Sequence, residues 1–237
     1  MISVSFGNFV LTTYPMCGRF SLTKEELEIE KRFQAKFYSN DLVKRYNVAP
    51  TQLALVITCE APEKLQLFHW GLIPFWAKER SIGNKMINAK SETVREKPSF
   101  RNLIKKKRCL VISDGFYEWQ SGTGKTKIPY RICVENCTLF AFAGLYDTWT
   151  DKETGELVHS FTILTTSANE KVAKVHDRMP VILNTADERK WLDQTSSEQD
   201  IDLLLKPFPD EKINLYQIST LVNSPKNDSP EILEPVF

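Results

Sequence analysis

The sequence predicts an α+β fold, a single domain with a curled, barrel-like, mainly antiparallel β-sheet and peripheral helices. Three observations lead there. Apolar runs of strand length recur at short spacing from "LALVITC" at 53–59 to "SFTILTT" at 160–166. Helical patterns are few and scattered between them, so the regular alternation of a doubly wound sheet is missing. With 42% hydrophobic and 26% charged residues over 237 positions, the chain has the composition of a protein that buries a real core.

Taken in order, Thr23 and Glu26 form a capping-box pattern. It opens a helix through about Phe37, with Leu27, Ile29, Phe33 and Phe37 as its apolar side. "LALVITC" and "KLQLFHW" read as two strands joined by a turn around Ala61-Pro62. "WGLIPFWAK" (70–78) crowds large aromatics around Gly71 and Pro74 and reads as a loop. "SETVREK" and "SFRNLIKKK" are short helices interrupted by Pro98. "RCLVISD" fits a buried strand, and "PYRICV", "CTLFAFAGLYDTW" and "SFTILTT" continue the sheet. Thr185 with Glu188 is a second capping box, opening "ADERKWLDQ", and "SEQDIDLLL" is a further helix. The tail after Leu221, with Pro225, Pro230 and Pro235, reads as extended coil. One domain spans 16–237, and residues 1–15 form an N-terminal extension.

A net charge of +1 announces neither a nucleic acid nor a basic partner, so any nucleic-acid contact must use local charge. Residues 1–15 lack the basic start and cleavage site of a signal peptide. No apolar run approaches the roughly 20 residues of a membrane helix. Five cysteines, at 17, 59, 109, 133 and 137, without a secretory signal point to reduced thiols and a cytoplasmic location. Cys133 and Cys137 flank a turn, but no second ligand pair has zinc spacing, so no metal is expected.

His69 and His159 lie in strand-like stretches and read as structural. His176, in "KVHDRMP", reads equally as a helix cap or as an acid–base group. Glu118 sits among aromatics in "SDGFYEWQ", where poor solvation suits proton transfer. Simple alternation on a strand, with Glu118 outward, is the plainer account. Phe75 and Trp76 fit either a packed corner or a surface on which bases stack. The run Lys105-Lys106-Lys107-Arg108 is a local basic patch or a solvated helix face.

The order of six segments is more specific than any one of them. "MCGRFSL" (16–22), "RYNVAPTQ" (45–52), "WGLIPFW" (70–76), "INAKSET" (87–93), "SDGFYEW" (113–119) and "HDRMPVIL" (176–183) together resemble the SRAP family, the SOS-response-associated peptidases that process abasic sites in DNA. The resemblance covers Met16 to the C-terminus and implies that Met16 is removed to leave Cys17 as an N-terminal nucleophile. Its α-amine and thiol would then close a thiazolidine on the aldehyde of an abasic sugar. Arg19 is expected to favour the Cys17 thiolate. The resemblance further implies catalytic roles for Asn88, Glu118 and His176, and DNA contacts from Arg19, Pro50, Phe75, Trp76, Lys90 and Arg178. Lys90 replaces an arginine common in relatives, and Phe75 a tryptophan, which alters grip more than chemistry.

The partner so implied is single-stranded DNA containing abasic sites, met by a monomeric protein without cofactors. Autopeptidase and lyase activities belong to the same resemblance. A noncovalent DNA binder and a cysteine peptidase acting on other proteins are the alternatives. Either Met1 is a misassigned start, the favoured account, or the chain is a precursor cut before Cys17.

Overall fold

The computed structural model describes residues 17–38, 44–124 and 126–236; the expected extension 1–15 lies outside them. In chain order the strands are β1 (Phe20–Leu22), β2 (Lys36–Phe37), β3 (Arg45–Val48), β4 (Leu53–Thr58), β5 (Ala61–Trp70), β6 (Asn88–Lys90) and β7 (Arg108–Ser113). There follow β8 (Gly115–Ser121), β9 (Lys127–Val134), β10 (Phe140–Thr150), β11 (Leu157–Ser167), β12 (Arg178–Pro180), β13 (Ile182–Leu183) and β14 (Ile213–Gln217). The helices are short: α1 (Glu26–Phe33), α2 (Leu103–Lys106), α3 (Glu170–Ala173), α4 (Thr185–Leu192) and α5 (Glu198–Asp202).

Strands β5, β4, β7, β10 and β11 pair antiparallel in that order, and β11 returns to β5 in a parallel pair, setting Phe161 beside Trp70. This closes a five-strand barrel, the curled sheet expected of the sequence. A second sheet, β14-β9-β8-β1-β3, lies beside it. Alternation along the barrel strands serves two cores. Val56, Phe68, Trp70, Val111, Phe142 and Phe161 face the second sheet's Phe20, Phe116 and Ile132. Leu55, Ile57, Leu110, Ile112, Ala143 and Leu164 face Ile29, Trp191 and Ile201 of the helices. With both faces covered, β7 is buried along its whole length, which is why its middle, 109–112, reads as an unbroken apolar run.

Several local expectations are corrected. Helix α1 ends at Phe33, where Gln34 turns left-handed, and Leu27 is exposed while Ile29 is buried. Thr23 does not cap it: its amide and hydroxyl both donate to Asp114 Oδ2, each at 2.6 Å. At α4 the cap is Asn184, not Thr185, and accepts from the amides of Ala186 and Asp187. Glu188 there takes a bidentate pair with Arg32, at 2.8 and 2.9 Å. The β4–β5 turn falls at Cys59-Glu60, before Ala61-Pro62.

The basic run is not a uniform patch of solvated charge. Arg108 is buried and donates to the carbonyls of Ile104, Lys105, Trp191 and Asp193, closing the ends of α2 and α4. Lys105 pairs with Glu198 and Lys107 with Glu60. Cys133 and Cys137 are joined in a disulfide, against the reading of five reduced thiols. Left-handed backbone at Glu135 and Cys137 (φ 50° and 56°) turns the chain so that the Cα atoms of Cys133 and Cys137 stand 5.0 Å apart, within disulfide reach.

The tail is not extended coil either. Short 3-10 turns at Thr220–Asn223 and Pro230–Leu233 bury Val222 and Ile232 against Tyr117. Asp228 ties the tail to β3, accepting from the amides of Tyr46 and Asn47 and pairing with Arg45.

Candidate active site

Cys17 stands just ahead of β1, whose Phe20 and Ser21 pair with Phe116 and Gly115 of β8. That register brings the Cys17 backbone nitrogen to 2.6 Å from Glu118 Oε1. Both residues are only 3% exposed. Glu118 lies inward because each face of β8 is covered: Phe116 packs in the barrel-side core, and Tyr117 packs under the tail. The expectation of an outward Glu118 therefore fails on strand alternation alone.

The buried ion pair of Asp114 and Arg131 fixes this register. Asp114 is the single residue between β7 and β8, where the chain passes from one sheet to the other. Its carboxylate accepts from Ser21 and Thr23 on the Cys17 side, and Arg131 lies 3.3 Å away. Gly115 leaves room for that guanidinium, since a Cβ there would stand 2.9 Å from Arg131 Nε.

Burial dominates the electrostatics. It pushes the Cys17 thiol well above its ordinary range, reinforced by the charge and hydrogen bond of Glu118 and opposed by Arg178. The expectation that Arg19 favours a thiolate is corrected. Arg19 Nη1 donates to Asn47 Oδ1 at 2.8 Å and to the Val222 carbonyl at 2.7 Å, and the guanidinium lies 5.8 Å from the Trp119 ring centre. Burial also raises the Glu118 carboxyl, with His176 and the Cys17 hydrogen bonds pulling it back.

The His176 Nδ1 accepts the Arg178 amide at 3.1 Å, which places the proton of the neutral ring on Nε2. The same Nδ1 lies 3.0 Å from the carboxylate of exposed Asp177.

Cys17, Glu118, His176 and Arg178 are brought into one electrostatic group. Asn88 and Lys90 reach the region on β6, paired with Ile163 and Thr165 of β11, while Arg178 on β12 pairs with Ser167 from the same strand. Arg178 forms a bidentate pair with Glu92, at 2.5 and 2.9 Å, and donates to the Thr165 carbonyl. Glu92 was readable only as a member of "INAKSET"; nothing in the spacing marked it as the partner of a residue 86 positions away.

Pro50 precedes Thr51, whose amide donates to the Trp70 carbonyl where the aromatic loop begins. Along that loop Phe75 is 69% and Trp76 50% exposed, so neither is a core residue. Gly71, at φ 129°, lets the loop pass Gly83, whose carbonyl a Cβ would meet at 2.7 Å. Among the described residues no cluster of His, Cys, Asp or Glu is arranged to hold a metal ion. No helix there is long and apolar enough to cross a membrane.

Residues 16–225 match the family described as SOS response associated peptidase (SRAP). The chain belongs to the SRAP family. Among SRAP relatives, the abasic site processing protein YoqW of Bacillus subtilis is 46% identical over 223 residues, covering 92% of this chain and 99% of that one. The abasic site processing protein HMCES of Gallus gallus is 37% identical over 193 residues, 70% of this chain and 56% of its own length. The fold is shared with a crystal structure of a Bacteroides thetaiotaomicron protein, with 36% identity, a TM-score of 0.86 and coverage of 93% and 100% of the two chains.

Proposed function

We propose that this SRAP protein acts in DNA repair by capturing abasic sites in single-stranded DNA, as a monomer, through Cys17 once the residues before it are gone. The names of its relatives support abasic-site processing. The observation that carries the covalent reading is the 2.6 Å contact between the Cys17 nitrogen and the buried carboxylate of Glu118. In the trimmed protein that nitrogen is an α-amine, with an ordinary pKa near 8. The φ of 44° at Cys17, unusual for a side-chain-bearing residue, ceases to be a torsion at all.

Each step then has a group in place. His176 protonates the ring oxygen as its bond to C1′ breaks, and the C1′ hydroxyl gives up its proton to solvent, leaving the C1′ aldehyde. Glu118 takes a proton from the ammonium, and the amine adds to C1′ while one of its remaining protons passes to the aldehyde oxygen. Glu118 returns its proton to the resulting hydroxyl, which leaves as water and yields a protonated imine. Glu118 then takes the thiol proton as sulfur bonds to C1′ and the C=N electron pair moves onto nitrogen, closing the five-membered thiazolidine. Burial keeps the thiol protonated, so this addition needs the adjacent base.

Asn88 orients the amine or sugar. Arg19, Lys90 and Arg178 hold phosphates, and these contacts position without reading sequence. Phe75 and Trp76, bounded by Pro50, stack where the base is missing. Removal of the preceding residues by the same Cys17–Glu118 pair, and lyase release of the product, are further activities of this reading.

The test is to express the chain from Met16, verify by intact mass that Cys17 is terminal, and mix it with single-stranded DNA carrying one abasic site. A shifted band on a denaturing gel, absent with Cys17→Ala, is expected. No band despite a free Cys17 overturns covalent capture in favour of noncovalent binding.

A further inference from the structure

Pro74 to Ala77 form a tight turn, the Ala77 amide donating to the Pro74 carbonyl at 2.8 Å, so Phe75 and Trp76 are its two corner residues. Ile73 and Ala77, on either side, are buried with Trp149 and Val158. Exposed aromatics on a turn ordinarily sample several positions, yet this turn is gripped by side chains. Asp147 Oδ2 accepts the Phe75 amide at 2.8 Å, and Ser160 Oγ accepts the Ile73 amide at 2.8 Å. Pro74, between them, has no amide to offer.

Asp147 and Ser160 are cross-strand neighbours on β10 and β11. The barrel wall therefore binds alternate residues of the loop with two side chains, where a strand would use its backbone. Trp149 Nε1 closes the far end by donating to the Ala77 carbonyl at 2.8 Å. Asp147 is only 7% exposed and receives its second hydrogen bond from the Thr148 amide. A buried carboxylate is a costly way to hold one peptide group unless the position of that group matters.

We propose that Asp147 and Ser160 are positioning residues for DNA engagement, fixing Phe75 and Trp76 in the orientation in which they stack against the strand at the lesion. This rests on the proposed capture of abasic DNA. It assigns to two residues of the barrel wall a share of the affinity and none of the covalent chemistry.

The test measures crosslinking rate against concentration of a single-stranded oligonucleotide with one abasic site, for wild type, Asp147→Asn, Ser160→Ala and each combined with Phe75→Ala/Trp76→Ala. Asp147→Asn and Ser160→Ala each raise the half-saturating DNA concentration, Asp147→Asn by about tenfold, because one amide loses its acceptor. The rate at saturation stays at the wild-type value. In the Phe75→Ala/Trp76→Ala background neither substitution has a further effect, an outcome that general destabilisation does not produce.

An unchanged half-saturation point, a lowered saturated rate, or penalties that add in full overturn the inference. If Asp147→Asn fails to fold, Ser160→Ala carries the same cycle alone. If wild type gives no adduct, the proposed capture fails. The same cycle on equilibrium binding of undamaged single-stranded DNA still decides the role of the pair.

Discussion

Cys17 and Glu118 are each 3% exposed, whereas Phe75 and Trp76 are 69% and 50% exposed, yet both pairs are held by buried carboxylates, Asp114 at the end of one barrel strand and Asp147 within another. Asp114 locks the strand that carries Cys17 to the strand that carries Glu118. Asp147 locks the turn that carries the aromatics. The difference lies in what is left facing outward. Proton transfer to a buried amine gains from a low dielectric and a fixed distance. Stacking gains only if the apolar surface is wet beforehand and dry afterwards. One device, a buried acceptor gripping backbone amides, thus serves a centre that hides its reactive groups and a turn that displays its rings.

That contrast breaks first at Glu118. Glu118→Gln is expected to slow crosslinking by about 10²-fold or more at saturating DNA. In the chain that still carries the residues before Cys17, where the nitrogen facing Glu118 is an uncharged amide, the same substitution should raise the melting temperature at pH 7. Burial holds the Glu118 pKa above its unfolded value, so the folded state binds the extra proton and stability falls as pH rises through that interval. Below the ordinary carboxylate range both states are protonated, and the gain from Gln should vanish. Melting curves at pH 4 and pH 7 check the sign; an equal gain at both would contradict a burial-raised carboxyl.

At the exposed end, Trp76→Ala should weaken binding of single-stranded DNA by about 1–3 kcal/mol, and Phe75→Ala by somewhat less, with the saturated crosslinking rate preserved. A saturated rate that fell with the affinity would merge the two regions into one. Smaller still, Lys90→Arg restores a bidentate fork and should tighten binding a few-fold with a steeper salt dependence, read by titration at two salt concentrations. Least of all, Leu27→Gln should change neither melting nor binding, because Leu27 faces solvent on α1.

Much of this was legible in the sequence, and the rest fails for identifiable reasons. The strands of the barrel announce themselves because burial on both faces demands unbroken apolar runs such as 109–112. Cys17, Glu118 and His176 stand in motifs whose order is informative even where each is ambiguous alone. Thr23 offers the opposite lesson: its hydroxyl suits a helix cap, but an acceptor 91 residues away takes it. Arg108 ends a run of lysines and looks solvated, yet it is the one member with four carbonyls within reach. Asn184 and Thr185 both suit a cap, and only the backbone chooses between neighbours. Asp147, in "FAGLYDTW", carried one faint signal, a lone carboxylate in an otherwise apolar strand. Its purpose depends on a loop 72 residues earlier.

The partner that buries the Cys17 nitrogen lies 101 residues downstream. While the protein is being made, its amino end stays open until β8 has left the ribosome, and it closes only when the second sheet assembles. An enzyme that trims the nascent chain therefore has an interval set by the time needed to synthesise about two-fifths of the protein, at roughly 5–20 residues per second. Molecules that miss the interval fold with the nitrogen already enclosed. For those molecules the group already in contact with the enclosed nitrogen is the Glu118 carboxylate, so under the proposed self-removal the late route runs through the protein's own site, and the early one through an outside enzyme.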